Sequence, residues 1–278
     1  MNKPLLLASC GLLLILVLFF FGKTSVPPKT APQKSEKVFN ISQFIDSARK
    51  SLSPTQSIYL GNFENSVKRG DVQTQQSIVY TLIANFWKDS IGLFEPYIYY
   101  ITQAAKLDNS EKSLTFAARL YLENLRGERD PGKMNWMSEE AIDLFEKGLI
   151  LNPDNEDLKI GLGSVYVFGK GRTGDPSATM KGIQQLLSVA RKDPGNLQAQ
   201  MVLGVGGLMS GQYDKALERF KLIVEKQPDN VEAVAYLADT YAALGNKTEA
   251  IKYYAISKKL VNDPHYSKEV DERIKTIR

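Results

Sequence analysis

Between Leu203 and Tyr254 the chain repeats at a fixed interval of 34 residues: Leu203 returns as Leu237, Gly211 as Gly245, Ala216 as Ala250, and Phe220 as the aromatic Tyr254. A constant period of this size means one supersecondary unit copied along an axis. Such a unit holds two helices of about 14 residues and two tight turns. It cannot bury its own apolar face, so it stacks on its neighbours and leaves a long surface better suited to binding than to chemistry.

The second helix of one copy carries Tyr213, Ala216, Leu217 and Phe220 at three- and four-residue spacing, which forms one apolar stripe. Ala216 and Ala250 let a neighbouring helix approach closely, and Phe220 and Tyr254 fill the volume that opens one turn further on. Gly211 and Gly245 fall where the first helix of each copy should end, a place where glycine turns left-handed at little cost. Pro194-Gly195-Asn196 and Pro228-Asp229-Asn230 break the preceding helix and offer asparagine as an N-cap.

At these residues the chain resembles the tetratricopeptide repeat family, whose signature is Leu-Gly, a Tyr, then Ala-x-x-x-Phe and a closing Pro. Leu203-Gly204, Ala216, Phe220 and Pro228 match in one copy, and Leu237, Tyr241, Ala250 and Tyr254 in the next. Leu162-Gly163 and Tyr166 open an earlier copy that Pro194 closes, stretched by an insertion placed in the 169–179 loop. Ala141, Phe145 and Pro153 close a still earlier one, with an insertion around 126–134. The resemblance covers 156–261 and extends less regularly over 73–153. Departures are the missing Trp at the start of each copy and Gly207 and Gly182, which stand where the family has Tyr and Ala and locally weaken the packing argument for the resemblance. The resemblance implies an all-α fold: a TPR-like right-handed helical-hairpin solenoid of four to five hairpins, with extra N-terminal helices and a C-terminal capping helix.

Composition removes several classes of function. The 278 residues are 43% hydrophobic, enough for a sizeable core in one extended or two small domains. A net charge of +4 without a basic stripe gives no nucleic-acid signal. One Cys rules out a disulfide framework, and one His, His265, leaves no His triad or His-ligated metal. No cofactor is expected. Glu139, Glu140 and Asp143 are the nearest approach to a catalytic acid cluster, as a helical-scaffold hydrolase would need, but they sit near a helix start where acids are favoured anyway.

Leu5–Gly22 is an uncharged apolar run of 18 residues between Lys3 and Lys23, about 27 Å long as a helix and close to a bilayer's hydrocarbon thickness. It reads as one transmembrane helix. Two alternatives stand beside it: a lipoprotein signal, since Leu7-Ala8-Ser9-Cys10 looks like a lipobox, and a cleaved signal peptide. Bulky Phe19-Phe20-Phe21 argues against cleavage, and the apolar residues after Cys10 argue against lipidation. The expected organisation is an anchor at 1–22, a Pro/Lys-rich linker at 23–38, a helical region of divergent repeats at 39–110, and the repeat domain at 111–278. The lysines after the run favour a cytoplasmic domain, whereas the membrane-tethered bacterial proteins it resembles often face the periplasm. The expected place is the inner membrane, single-pass, with the repeats leaning periplasmic.

Residues 40–110 predict helices over 41–51, 54–68, 73–87 and 90–106, with Phe86, Trp87, Phe94, Tyr97, Tyr99 and Tyr100 as interhelical core. The stretch 266–278 predicts a polar capping helix. Gly161-x-Gly163 and the Gly169–Gly174 loop lack the strand and the Gly-Lys-Ser/Thr ending of a phosphate loop, so the loop is expected to be a flexible, solvated insertion.

The family resemblance places the binding groove along the first helix of each copy. There Gln198, Met201, Val205 and Leu208 share one side by spacing, with Phe116, Leu120 and Ile160 in earlier copies and Glu232 and Asp239 in the next. The Lys and Asn clamp that some family members use for a terminal carboxylate is absent, so the groove is expected to take an apolar or amphipathic protein or peptide segment. The implied function is a membrane-tethered scaffold at the cell envelope without catalysis. Self-association through the same surface, giving a homo-oligomer, is the competing expectation.

Overall fold

The computed structural model describes residues 38–69 and 73–277. The apolar run 5–22 with its Cys10 motif, the linker up to residue 37 and the turn at 70–71 lie outside them. Among the described residues no helix is long and apolar enough to cross a membrane. Val38–Arg278 forms one unit, so the helical region 39–110 and the repeat region 111–278 are continuous.

Every element described in that unit is helical. Helices α1 (Ile41–Arg49) and α2 (Pro54–Arg69) come first. Hairpins then follow: α3 (Gln73–Asn85) with α4 (Phe94–Asp108), α5 (Glu111–Leu125) with α6 (Pro131–Leu151), and α7 (Glu156–Val165) with α8 (Pro176–Lys192). The regular copies are α9 (Leu197–Met209) with α10 (Tyr213–Lys226) and α11 (Val231–Ala243) with α12 (Lys247–Val261). Helix α13 (Pro264–Ile277) caps α12 and buries Val270 and Ile274. Each hairpin packs on the next, as a stacked repeat requires.

The punctuation behaves as the residue types dictate. Asn196 Oδ1 accepts from the Ala199 amide and Asn230 Oδ1 from the Ala233 amide, each at 3.0 Å, so the caps recur with the repeat. Gly211 and Gly245 end α9 and α11 at φ of 74° and 76°, where a Cβ would be strained. The periodic core is fully packed: Ala216, Phe220, Leu237 and Ala250 have no exposed surface.

Two departures from the sequence reading occur at helix ends. The helix expected at 73–87 continues as a π-helical turn, Phe86–Ile91, that stops at left-handed Gly92, so α4 begins at Phe94 rather than Ser90. A second π-helical turn, Tyr166–Lys170, extends α7 into the stretch expected to be a flexible insertion. That stretch is ordered by contacts. Tyr166, Val167 and Phe168 are buried, and Arg172 donates to the carbonyls of Leu125, Arg126 and Glu128, capping α5. A guanidinium at a helix C-terminus satisfies orphan carbonyls and complements the dipole. Arg172→Ala is expected to cost about 1–2 kcal/mol, since the side chain is exposed but its bonds are charge-assisted, and to speed amide exchange at 124–130. Unchanged exchange there would show that the cap is not needed.

Close packing explains Gly182, which stands where the family has Ala. A Cβ at Gly182 would lie 2.5 Å from Tyr166 Cβ and 2.9 Å from the Gly163 carbonyl oxygen. The α7–α8 pair is therefore closer than alanine permits, and the glycine tightens the contact instead of weakening it.

The aromatic residues at 86–100 form core, as expected. Trp87 is fully buried, and Phe86, Tyr97 and Tyr100 nearly so, in a cluster that runs from Ile45 to Ala178. Helices α1 and α2 are held there by an Arg49–Glu64 ion pair whose two partners both lie 3.4 Å from the Tyr100 hydroxyl. Burial pushes the Tyr100 phenol up to about 12, against the hydrogen bond from Arg49, which lowers it. Burial raises Tyr121 and Tyr254 too. The neutral phenol is favoured by folding, so its contribution is complete below the unfolded value near 10 and is lost as pH rises through 12. Denaturation midpoints are expected to fall between pH 10 and 12, with a shallower fall in Tyr100→Phe; equal slopes would remove Tyr100 as a cause.

Candidate functional site: a charged groove along the first helices

Helices α5, α7, α9 and α11 line up as the first helices of successive hairpins, and between them lies a groove of about 660 Å³. Its floor is apolar, with Leu122, Leu197, Met201 and Val202, and its rim is charged, with Arg119, Glu123, Arg126, Asp157 and Glu232. Gly161 and Ser164 of α7 line the middle of the groove. A Cβ at Gly161 would strike the Phe145 ring at 2.4 Å, so the glycine is set by packing from behind the groove.

The rim charges are paired across helices. Arg119 meets Asp157 at 3.4 Å, with both side chains more than half exposed. Arg126, at the end of α5, reaches Glu232 at the start of α11 at 3.1 Å, and its guanidinium lies 4.3 Å from the Phe168 ring centre. Exposed pairs of this kind stabilise weakly, about 0–1 kcal/mol, so they exchange readily for a partner's charges.

The expected groove residues divide sharply. Gln198, Met201 and Glu232 do line the groove. Ile160 and Val205 are buried at 1% and 4% exposure, and Met201, at 8%, contributes only a sliver of floor. The physical reason is that α7 and α9 are sandwiched between neighbouring hairpins, so apolar residues on every side of them are core. Leu208 is half-buried against the same core, and Leu120 packs partly against the N-terminal one. Phe116 is 52% exposed but lies outside the groove. Asp239 is occupied elsewhere: it accepts from the Tyr254 hydroxyl at 2.5 Å and from Arg273 of the capping helix at 3.2 Å.

Arg119, Glu123, Arg126 and Asp157 were the residues the spacing argument passed over. Asp157 was within reach, because it precedes Gln198 by the same stretched interval that separates Pro153 from Pro194. On α5 the register is shifted by about a turn, and the visible signal was the charged i, i+4, i+7 series Arg119, Glu123, Arg126.

The acids once set aside as a catalytic cluster are ion pairs. Lys106 binds Glu140 and Asp143, each at 2.9 Å, and Lys170 binds Glu139 at 3.0 Å. Partial burial would raise the Asp143 carboxyl, but hydrogen bonds from Lys147 and Lys106 hold it below the usual carboxylate value. No group of three or more His, Cys, Asp or Glu among the described residues is placed to hold a metal ion.

Residues 208–268 match the tetratricopeptide repeat family. The match runs from the end of α9 into α13 and so covers α10, α11 and α12, one full copy of the 34-residue unit and the second helix of the copy before it. Tetratricopeptide repeat protein 6 of Homo sapiens is 25% identical over 114 residues, which cover 41% of this chain and 21% of that protein. The chain thus spans about a fifth of that relative's length. A thermophilic TPR protein of Thermus thermophilus superposes with a TM-score of 0.52 at 16% identity, covering 72% of this chain and 98% of that one, and so shares the fold. YrrB, described as a TPR protein with an unusual peptide-binding site, covers 76% of this chain and 97% of its own at 21% identity and a TM-score of 0.46.

Proposed function

We propose that the chain is a tetratricopeptide-repeat adaptor that holds a protein or peptide segment in the groove along α5, α7, α9 and α11. The observation that carries this reading is the combination of a narrow apolar floor with a rim of both signs of charge. A segment with one or two apolar anchors and flanking charges fits it; a wholly apolar segment would desolvate the rim ion pairs without offering them charges in return. The uncharged run 5–22 supports a membrane tether. The proposed setting is the bacterial inner membrane with the repeats on the periplasmic side, a side that rests on the family resemblance and runs against the lysines that follow the run. It carries partners and performs no chemistry of its own.

The test is crosslinking and pull-down of the full chain from its own membrane, comparing wild type with Gln198→Trp and Arg119→Glu. Gln198 and Arg119 are exposed groove residues, so both variants should melt like the wild type. At least a tenfold loss of the captured partner in both supports the groove. Unchanged capture removes it, and loss of a self-crosslink alone would make the groove a homo-oligomer interface instead. Protease accessibility in spheroplasts reports the side of the membrane: repeats protected from added protease would overturn the periplasmic placement.

A further inference from the structure

A second cavity, of about 540 Å³, lies away from the groove, between the second helices α8 and α10 with α9 beneath. Its two long walls differ in kind. Helix α8 presents Met180, Ile183 and Leu187; helix α10 presents Lys215 and Arg219, one turn apart on the same side. Leu203 and Gly206 form the floor, and a Cβ at Gly206 would stand 2.7 Å from Ile183 Cδ1, so the glycine sets the floor's depth. The turn at Gly171 and Gly174 and the start of α8 at Pro176 close one end.

The cation wall is built and uncompensated. Arg219 is half-buried, and its guanidinium donates to Oε1 of the buried Gln200, whose amide nitrogen is fixed by the Pro194 carbonyl at 2.9 Å. No acidic side chain lines the cavity, Lys215 donates to the Gln212 amide oxygen at 2.8 Å, and Arg219 forms no ion pair among the described residues; Glu218, the preceding residue, stabilises its charge only at longer range. A half-buried guanidinium with a neutral partner is an unmet electrostatic demand. Met180 and Met209 meanwhile stay 56% and 46% exposed at the mouth. Exposed methionines around a depression adapt to flexible apolar chains.

We propose that this cavity is a binding site for a small single-chain anionic amphiphile, a carboxylate on an apolar tail. The carboxylate lies against Lys215 and Arg219, and the tail lies along Met180, Ile183 and Leu187. The volume falls within the range of about 300–1,000 Å³ typical of small-molecule sites. The cavity's size and its paired cations suit a short chain with one charged end. This site is independent of the groove and of the adaptor reading.

The test uses the full chain and a diazirine-bearing dodecanoate, with the labelled residues mapped by mass spectrometry. Labelling is expected on peptides covering 180–187 and 203–219, competed by dodecanoate but at least fivefold less by dodecanol. Lys215→Gln, at an exposed position that leaves the fold intact, and Arg219→Gln should each cut labelling at least fivefold with unchanged helical content. Labelling confined to other regions overturns the proposal. So does equal competition by dodecanol, or full labelling of both variants, since either reduces the cavity to an apolar surface. Protection by a captured protein partner but not by dodecanoate would make it a docking surface and likewise refute the site.

Discussion

Valine at position 182 is expected to destabilise the protein by about 3 kcal/mol or more, despite removing a glycine from the interior of a helix. Two effects oppose each other. Replacing glycine within a helix gains up to about 1 kcal/mol in backbone propensity, and less for a β-branched residue. Against this, the first added carbon would sit 2.5 Å from Tyr166 Cβ and 2.9 Å from the Gly163 carbonyl oxygen, and both obstacles are rigid. Neither is the free end of a side chain, so the clash is relieved only by parting α7 from α8. Overpacking of a tight core costs about 1–3 kcal/mol for small insertions, and valine adds two further methyl groups. Gly182→Ala should fall between valine and wild type. A urea midpoint for Gly182→Val equal to or above wild type would mean that the helices part without penalty.

Phe220→Ala is expected to cost about 3–5 kcal/mol, the usual range for emptying a buried aromatic site. The ring has no exposed surface, lies against Gly204, where a Cβ would approach it to 2.7 Å, and stacks on Tyr236 with centroids 5.4 Å apart. It thus joins α9, α10 and α11. The loss should also be local. The buried residues divide into one cluster from Ile45 to Ala178 and another from Ile160 to Ile274, and Phe220 belongs to the second. In a stack held by neighbour contacts, damage to one interface opens that end first. Hydrogen exchange should therefore rise in α9–α12 well before α3–α5. Equal loss of protection along the whole chain would show that both clusters unfold as one cooperative unit.

The hairpins were legible because their signals are local. Small residues at Ala216 and Ala250, rings one turn later, and Asn caps at the helix starts all act within one copy, and the 34-residue interval displays them twice. The groove was less legible because its lining depends on how consecutive first helices stack, which no single copy records. Met201 and Val205 have groove spacing but lie on a helix packed between neighbouring hairpins, which buries Val205 and leaves Met201 only a sliver of floor, whereas Arg119 and Arg126 belong to an earlier copy whose register is shifted. The ordered insertion was hidden for another reason. Glycines and charges at 169–174 carry the composition of a loop, and only the carbonyls at the end of α5, some 45 residues away, give Arg172 something to hold.

The reach of Arg126 from α5 to Glu232 on α11 has a mechanical meaning. A stack joined only between neighbours stretches like a spring, each interface yielding in turn. A strut from the second hairpin to the fifth acts in parallel with every interface it spans, so tension along the axis is shared between an ion pair and the apolar contacts. Because both partners are about half exposed, the strut is screened by salt. The stack is therefore expected to be slightly stiffer in dilute buffer than in concentrated salt, by no more than about 0–1 kcal/mol, the worth of one exposed pair.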